Sequence, residues 1–177
     1  GASRPIAEDS TSPTIRHWPD NAYGISKFAA ELFGLHYWQV HGVDFVALRF
    51  SIVFGPLLGQ VRGGRGMQLK ELLRSVLAGK TIPLGRYEPW HGGVELLYSK
   101  DAGRALALAC LAQNPQARVY NISMGRSYTF AELLETLRGL GLPVATGGEM
   151  EATAPAPPPM DISLAREGLG FVPEYDL

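Results

Sequence analysis

Apolar residues recur at Ile25, Phe28, Ala29, Leu32 and Leu35, the spacing of one helical face, and the pattern stops at Gly42. Asp20 and Asn21 stand just ahead as good N-cap types behind Pro19, so a helix is predicted from there to Gly42. The period then changes. The run DFVALRFSIVF, residues 44–54, is almost continuously apolar between Gly42 and the Gly55-Pro56 pair, which predicts one buried strand. Beyond the glycine-rich stretch, MQLKELLRSVLA (67–78) predicts a helix closed by Gly79, followed by the loop YEPWHGG (87–93) and a short strand VELLY (94–98). Asp101 reads as the N-cap of a helix through residue 112, and RVYNI (118–122) as a strand. TFAELLETLRGLG (129–141) opens with Thr129 and Glu132 in capping-box spacing. The proline-rich ATAPAPPPM (152–160) predicts an extended linker, a last short helix begins at Asp161, and residues 1–19 read as an irregular approach segment.

Helix and strand signals alternate, which predicts an α/β fold with largely parallel strands. About three strands are legible where a sheet commonly holds about five to six, so the parallel sheet is expected to be incomplete. A chain of 177 residues with 46% hydrophobic content can bury a core. Sixteen basic residues against seventeen acidic ones leave a net charge of −1. That balance supplies no field for nucleic acid or an anionic membrane, and neither is expected as a partner. No run approaches the roughly 20 apolar residues of a membrane span, and the polar start GASRPIAEDS lacks a signal-peptide core, so a cytoplasmic location is expected. The single Cys110 lies in the apolar run RALALACLA and is expected to be a small buried hydrophobe. No His, Cys, Asp and Glu grouping has metal-ligand spacing, so no metal site is expected.

The chemistry centres on DNAYGISKFAAE, residues 20–31, where Tyr23 and Lys27 are four apart and share one helical face. Tyrosine titrates near pH ~10 alone, and a neighbouring cation favours phenolate, which brings the hydroxyl into range for acid/base work. A carbonyl being reduced needs a proton, and an alcohol being oxidised must lose one. Two polar residues on a solvated face are the competing reading of the same spacing.

The surrounding text adds to this. PDNAYGISKFAAE followed by GVDFVALRFSIVFGP resembles the extended short-chain dehydrogenase/reductases, the NAD-dependent epimerase/dehydratase family. LLYSKDAGRALALACL, VYNISMGRSYTFAELLETL and DISLAREGLGFVP are similar to later segments of that family, in order. The resemblance implies the C-terminal part of a Rossmann-type enzyme with its small substrate-binding lobe: residues 1–56 end the nucleotide-binding domain, and 57–177 form mainly the lobe. It implies that Tyr23 is the acid/base and that Lys27 lowers its pKa and bonds the nicotinamide ribose. Phe50, Ser51 and Ile52 would neighbour the cofactor, NAD or NADP, or the substrate. A homodimer through the Tyr-Lys helix is implied as well.

The family's G-x-x-G-x-x-G loop and its catalytic Ser/Thr have no match here, and GGRGMQ (63–68) reads as a substrate-side loop. Two positions that sugar-nucleotide members use on phosphates read Ile52 and Val94, with Arg62, Arg65 or Arg86 as loop substitutes. Trp90 and His91 are further substrate candidates, although loop packing is the simpler explanation of both. Arg49 is expected to meet a carboxylate or a backbone carbonyl. The expected activity is that of an NAD(P)-dependent epimerase, dehydratase or reductase on a sugar nucleotide or related hydroxyl or carbonyl substrate, with this chain alone inactive. The alternative is a non-catalytic relative or fragment serving as a binding or regulatory module.

Overall fold

The computed structural model describes residues 5–11, 21–56, 65–87, 93–148 and 158–177. In chain order its elements are α1 (Ala22–His41), β1 (Ala47–Phe50), β2 (Ile52–Phe54), α2 (Arg65–Leu77), β3 (Ile82–Pro83), β4 (Leu96–Tyr98), α3 (Ser99–Leu111), β5 (Val119–Ile122), α4 (Phe130–Gly139), β6 (Thr146–Gly147) and α5 (Ser163–Leu169). The architecture is mixed α/β with short parallel pairs. Strand β1 pairs with β5, β2 with β4, and β3 with β6, each pair parallel.

The run 44–54 is therefore two strands rather than one, and its strand residues are half-buried rather than buried. The break falls at Ser51 because the two halves take different partners: Arg49 stands opposite Asn121, whereas Ile52 stands opposite Leu96. Strands β3 and β6 are two residues each, too short to leave a periodic trace in the sequence.

Strand β4 divides the interior by its alternation. Leu96 joins a core built from Leu72 and Val76 of α2 and Phe130, Leu133 and Leu137 of α4. Its neighbour Leu97 joins a second core with Ala105 of α3, Tyr120 and Ile122 of β5, and Phe171. Burying these side chains drives folding at about 25 cal/mol per Å² of apolar surface removed from water.

The caps decide the helix ends. Asn21 opens α1 by accepting the Gly24 N–H at 2.8 Å, and Gly42, at φ 67°, closes it in the left-handed conformation glycine tolerates. Thr129 and Glu132 form the capping box of α4. Two other capping expectations fail. Helix α3 begins at Ser99, and Asp101 lies within its first turn, fully buried, because it serves the chain's last segment instead. Its carboxylate accepts the N–H groups of Glu174 at 3.1 Å and Tyr175 at 3.0 Å and pairs with Arg104 at 2.7 Å. Helix α5 begins at Ser163, and Asp161 accepts the Ser163 N–H at 2.9 Å from outside the helix. Cys110 is exposed, not buried, because α3 packs through Ala102 and Ala105 on another face.

Residues 152–157 of the proline-rich stretch lie outside the described residues. No described helix is long and apolar enough to cross a membrane. Helix α1 has no buried residue, and Ile25, Leu32, Phe33, Tyr37 and Val40 are all exposed on it.

Candidate functional site

Helix α1 carries Tyr23 in its first turn, directly behind the Asn21 cap, with the Ser26 hydroxyl donating to the Tyr23 carbonyl at 2.8 Å. Tyr23 is 72% exposed. Lys27 is also exposed, and its ammonium lies 5.4 Å from the centre of the Tyr23 ring. The pair expected from the spacing is thus in mutual contact, with the cation over the ring face.

Three contacts tie the helix to β1 and to the residues just ahead of β1 and β5. Gly34 admits the Phe45 ring so closely that a Cβ there would sit 2.1 Å from it. The Arg118 guanidinium covers Trp38 at 4.8 Å and reaches the Asp44 carboxylate at 2.5 Å. Arg49, in β1, meets both the kinds of partner expected of it. Its Nε donates to Glu31 Oε2 at 2.9 Å, its Nη2 to Glu31 Oε1 at 2.6 Å, and its Nη1 to the Glu8 carbonyl at 2.7 Å. The Glu31 hydrogen bonds hold the guanidinium even more firmly protonated than usual, against the opposing cost of burial.

At the carboxyl end of β1 the three predicted neighbours part company. Phe50 packs toward one core and Ile52 toward the other. Ser51 stands between them, with its N–H donated to the Ile122 carbonyl at 3.1 Å. Its hydroxyl is buried and is the one buried side-chain polar atom without a hydrogen-bond partner among the described residues. Such an atom costs roughly 1–3 kcal/mol unless a ligand or water satisfies it. A bound polar group fits that position.

The proposed phosphate-side residues are not gathered with it. Val94 is a core residue, 3% exposed, whose backbone exchanges two 2.8 Å hydrogen bonds with Tyr128. Arg62, Trp90 and His91 lie outside the described residues, as do the side chains of Arg65 at the start of α2 and Arg86 in a 3-10 turn.

Several polar contacts had no motif to announce them. Glu95 accepts the N–H groups of Gly125 at 3.1 Å and Met160 at 2.9 Å. Burial raises its pKa, while bonds from Ser123, Met160 and Gly125 pull the other way. Asn121, 2% exposed, donates through its amide to the carbonyls of Ile6 at 3.0 Å and Asp161 at 3.1 Å. Asn121 stood in the VYNI strand already, but its alternation alone gives no partner.

A model of the NAD dependent epimerase/dehydratase family matches residues 1–123. A dTDP-glucose 4,6-dehydratase from an Actinoplanes species is 32% identical over 119 residues, covering 67% of this chain and 35% of that enzyme. Among solved structures, MoeE5 in complex with UDP-glucuronic acid and NAD is 26% identical with a TM-score of 0.72, covering 99% of this chain and 56% of the other. A GalE-like L-threonine dehydrogenase from Cupriavidus necator in its holo form shares the fold at a TM-score of 0.73, with 24% identity over 99% of this chain and 57% of its own. The chain spans about a third of the length of the dehydratase and just over half of each solved structure.

Proposed function

The chain belongs to the NAD dependent epimerase/dehydratase family, and from that premise we propose that it carries the proton-transfer half of an NAD-dependent enzyme. In this reading Tyr23 is the acid/base: it gives a proton to a carbonyl oxygen as the carbon is reduced, or takes one from a hydroxyl as it is oxidised. Lys27, already against the Tyr23 ring, stabilises the phenolate and holds the nicotinamide ribose. NAD, when bound, accepts or returns the hydride.

The observation that supports the reading best is the unsatisfied, buried Ser51 hydroxyl at the carboxyl end of β1. Ligands of open α/β sheets gather beyond the carboxyl ends of the strands. The Ser51 hydroxyl would hold a polar group of the nicotinamide or of the substrate there, flanked by Phe50 and Ile52. The residues present suit the nicotinamide end alone. No G-x-x-G-x-x-G loop for the phosphates occurs in the 177 residues, so residues outside them would supply that half, and the chain by itself would be inactive.

In this division residues 1–56 complete the nucleotide-binding domain and 57–177 form mainly the substrate lobe. The exposed apolar residues of α1, around Phe33, Tyr37 and Val40, would be covered in a homodimer. The substrate is a sugar nucleotide or a related hydroxyl or carbonyl compound. The apolar Ile52 and the core position of Val94 favour a second reading, a non-catalytic module with the same fold.

The deciding experiment is turnover by the full-length protein carrying Tyr23→Phe, which removes only the hydroxyl. A loss of about 10²-fold or more in kcat is expected. Unchanged turnover would reject Tyr23 as the acid/base, and no turnover of any carbonyl or hydroxyl substrate by the parent would favour the module.

A further inference from the structure

We propose that the Glu31–Arg49 fork is the register lock of the site, fixing how α1 slides and turns on β1 and thereby where Tyr23 and Lys27, on the same helix, are held. Glu31 and Arg49 are positioning residues in this account, which rests on Tyr23 being the acid/base.

The contacts along α1 give its direction. Trp38 lies under the Arg118 guanidinium, which reaches the Asp44 carboxylate ahead of β1 at 2.5 Å. Gly34 holds the ring of Phe45, just ahead of the strand, and Glu31 meets Arg49 within it. Helix and strand therefore run antiparallel. A step toward the start of α1 is a step toward the carboxyl end of β1.

Tyr23, Lys27 and Glu31 follow one another at four-residue spacing along one side of α1. From Glu31 to Lys27 is about 6 Å along the axis, and Tyr23 lies about 6 Å further in the same direction, toward the carboxyl end of β1. The fork is the fixed point from which both are placed.

The fork is suited to hold that register. An ordinary ion pair tolerates sliding, but a bidentate arginine–carboxylate pair fixes a plane as well as a distance. Here the side chains of Arg49 and Glu31 are only 22% and 12% exposed. The guanidinium cannot swing after a moving helix, because Nη1 is committed to the Glu8 carbonyl. Glu8 is itself tied down, its carboxylate accepting the Asn121 N–H of β5 at 2.8 Å. The lock is anchored to both strands of the β1–β5 pair.

The test uses Glu31→Gln and Arg49→Lys, the second keeping the charge pair but losing the fork. In the 177-residue chain with Cys110→Ser, spin labels at Tyr23→Cys and Pro56→Cys report the position of α1 against the sheet. The parent should give one narrow distance, and both variants a displaced or broadened one. In the full-length protein, both variants should lower kcat about 10–100-fold with KM within about threefold. The pH profile of kcat should differ from the parent's in both variants. Superimposable distances in parent and variants overturn the lock, as do unchanged kcat and pH profile in folded variants. If Glu31→Gln does not fold, Arg49→Lys decides by the same readings. Unchanged turnover in Tyr23→Phe would remove the catalytic reading and leave the distances to judge the lock alone.

Discussion

Replacing Asp101 with alanine takes away a carboxylate that is completely buried and holds the last segment of the chain. The N–H groups of Glu174 and Tyr175 lose their acceptor, and Arg104 loses a partner 2.7 Å away. Breaking a fully buried ion pair costs about 3–5 kcal/mol, and each orphaned buried N–H about 1–3 kcal/mol. Arg104 is 31% exposed in its side chain and keeps Glu174 as a partner, so water and that contact recover part of the loss. Glu174 and Tyr175 are exposed residues, so their N–H groups can turn to water. A net loss of about 2–4 kcal/mol follows, which for a chain of this size lowers Tm by about 5–15 °C. Urea unfolding of the 177-residue chain gives the free energy, and hydrogen exchange at Tyr175 reports release of the segment. Asp101→Asn, which keeps one acceptor, should lose less than alanine. A loss below about 1 kcal/mol for Asp101→Ala would refute this account of the clamp.

Gly34→Ala should destabilise by about 1–3 kcal/mol in chemical unfolding, since its Cβ would sit 2.1 Å from the Phe45 ring; neutrality would mean the ring has room to move. Thr129→Ala should lose about 1 kcal/mol through the capping box. Glu132, held below its usual pKa chiefly by the Thr129 N–H, stabilises above its unfolded pKa, and that share fades as pH falls through the folded value. Acid unfolding of Glu132→Gln, which no longer titrates, should therefore depend less on pH than that of the parent. Burial, with the bond to Asp176, pushes the Tyr128 hydroxyl from 10.0 to about 12. Its contribution is whole below about pH 10 and fades as pH rises toward 12, so Tyr128→Phe should show a shallower alkaline loss of stability than the parent.

What the sequence disclosed follows from range. Helix α1 was legible at both ends because Asn21 and Gly42 act locally, and so was the capping box at Thr129. The break at Ser51 was not, because it depends on β4 and β5, far along the chain. Asp101 looked like a cap for a similar reason. The N–H groups it accepts lie 73 and 74 residues away, and nothing near it hints at them. The Tyr23 and Lys27 spacing pointed to the pair and the resemblance to the role proposed for it, but the Glu31–Arg49 fork is a tertiary contact between two ordinary charged residues.

The central claim is that Tyr23 moves the proton with Lys27 as its electrostatic partner, and the pH dependence of kcat/KM tests it most directly. In the full-length protein the pH profile of kcat/KM should differ from the parent's in both Lys27→Met and Tyr23→Phe. Profiles that superimpose across the parent and both variants would contradict it.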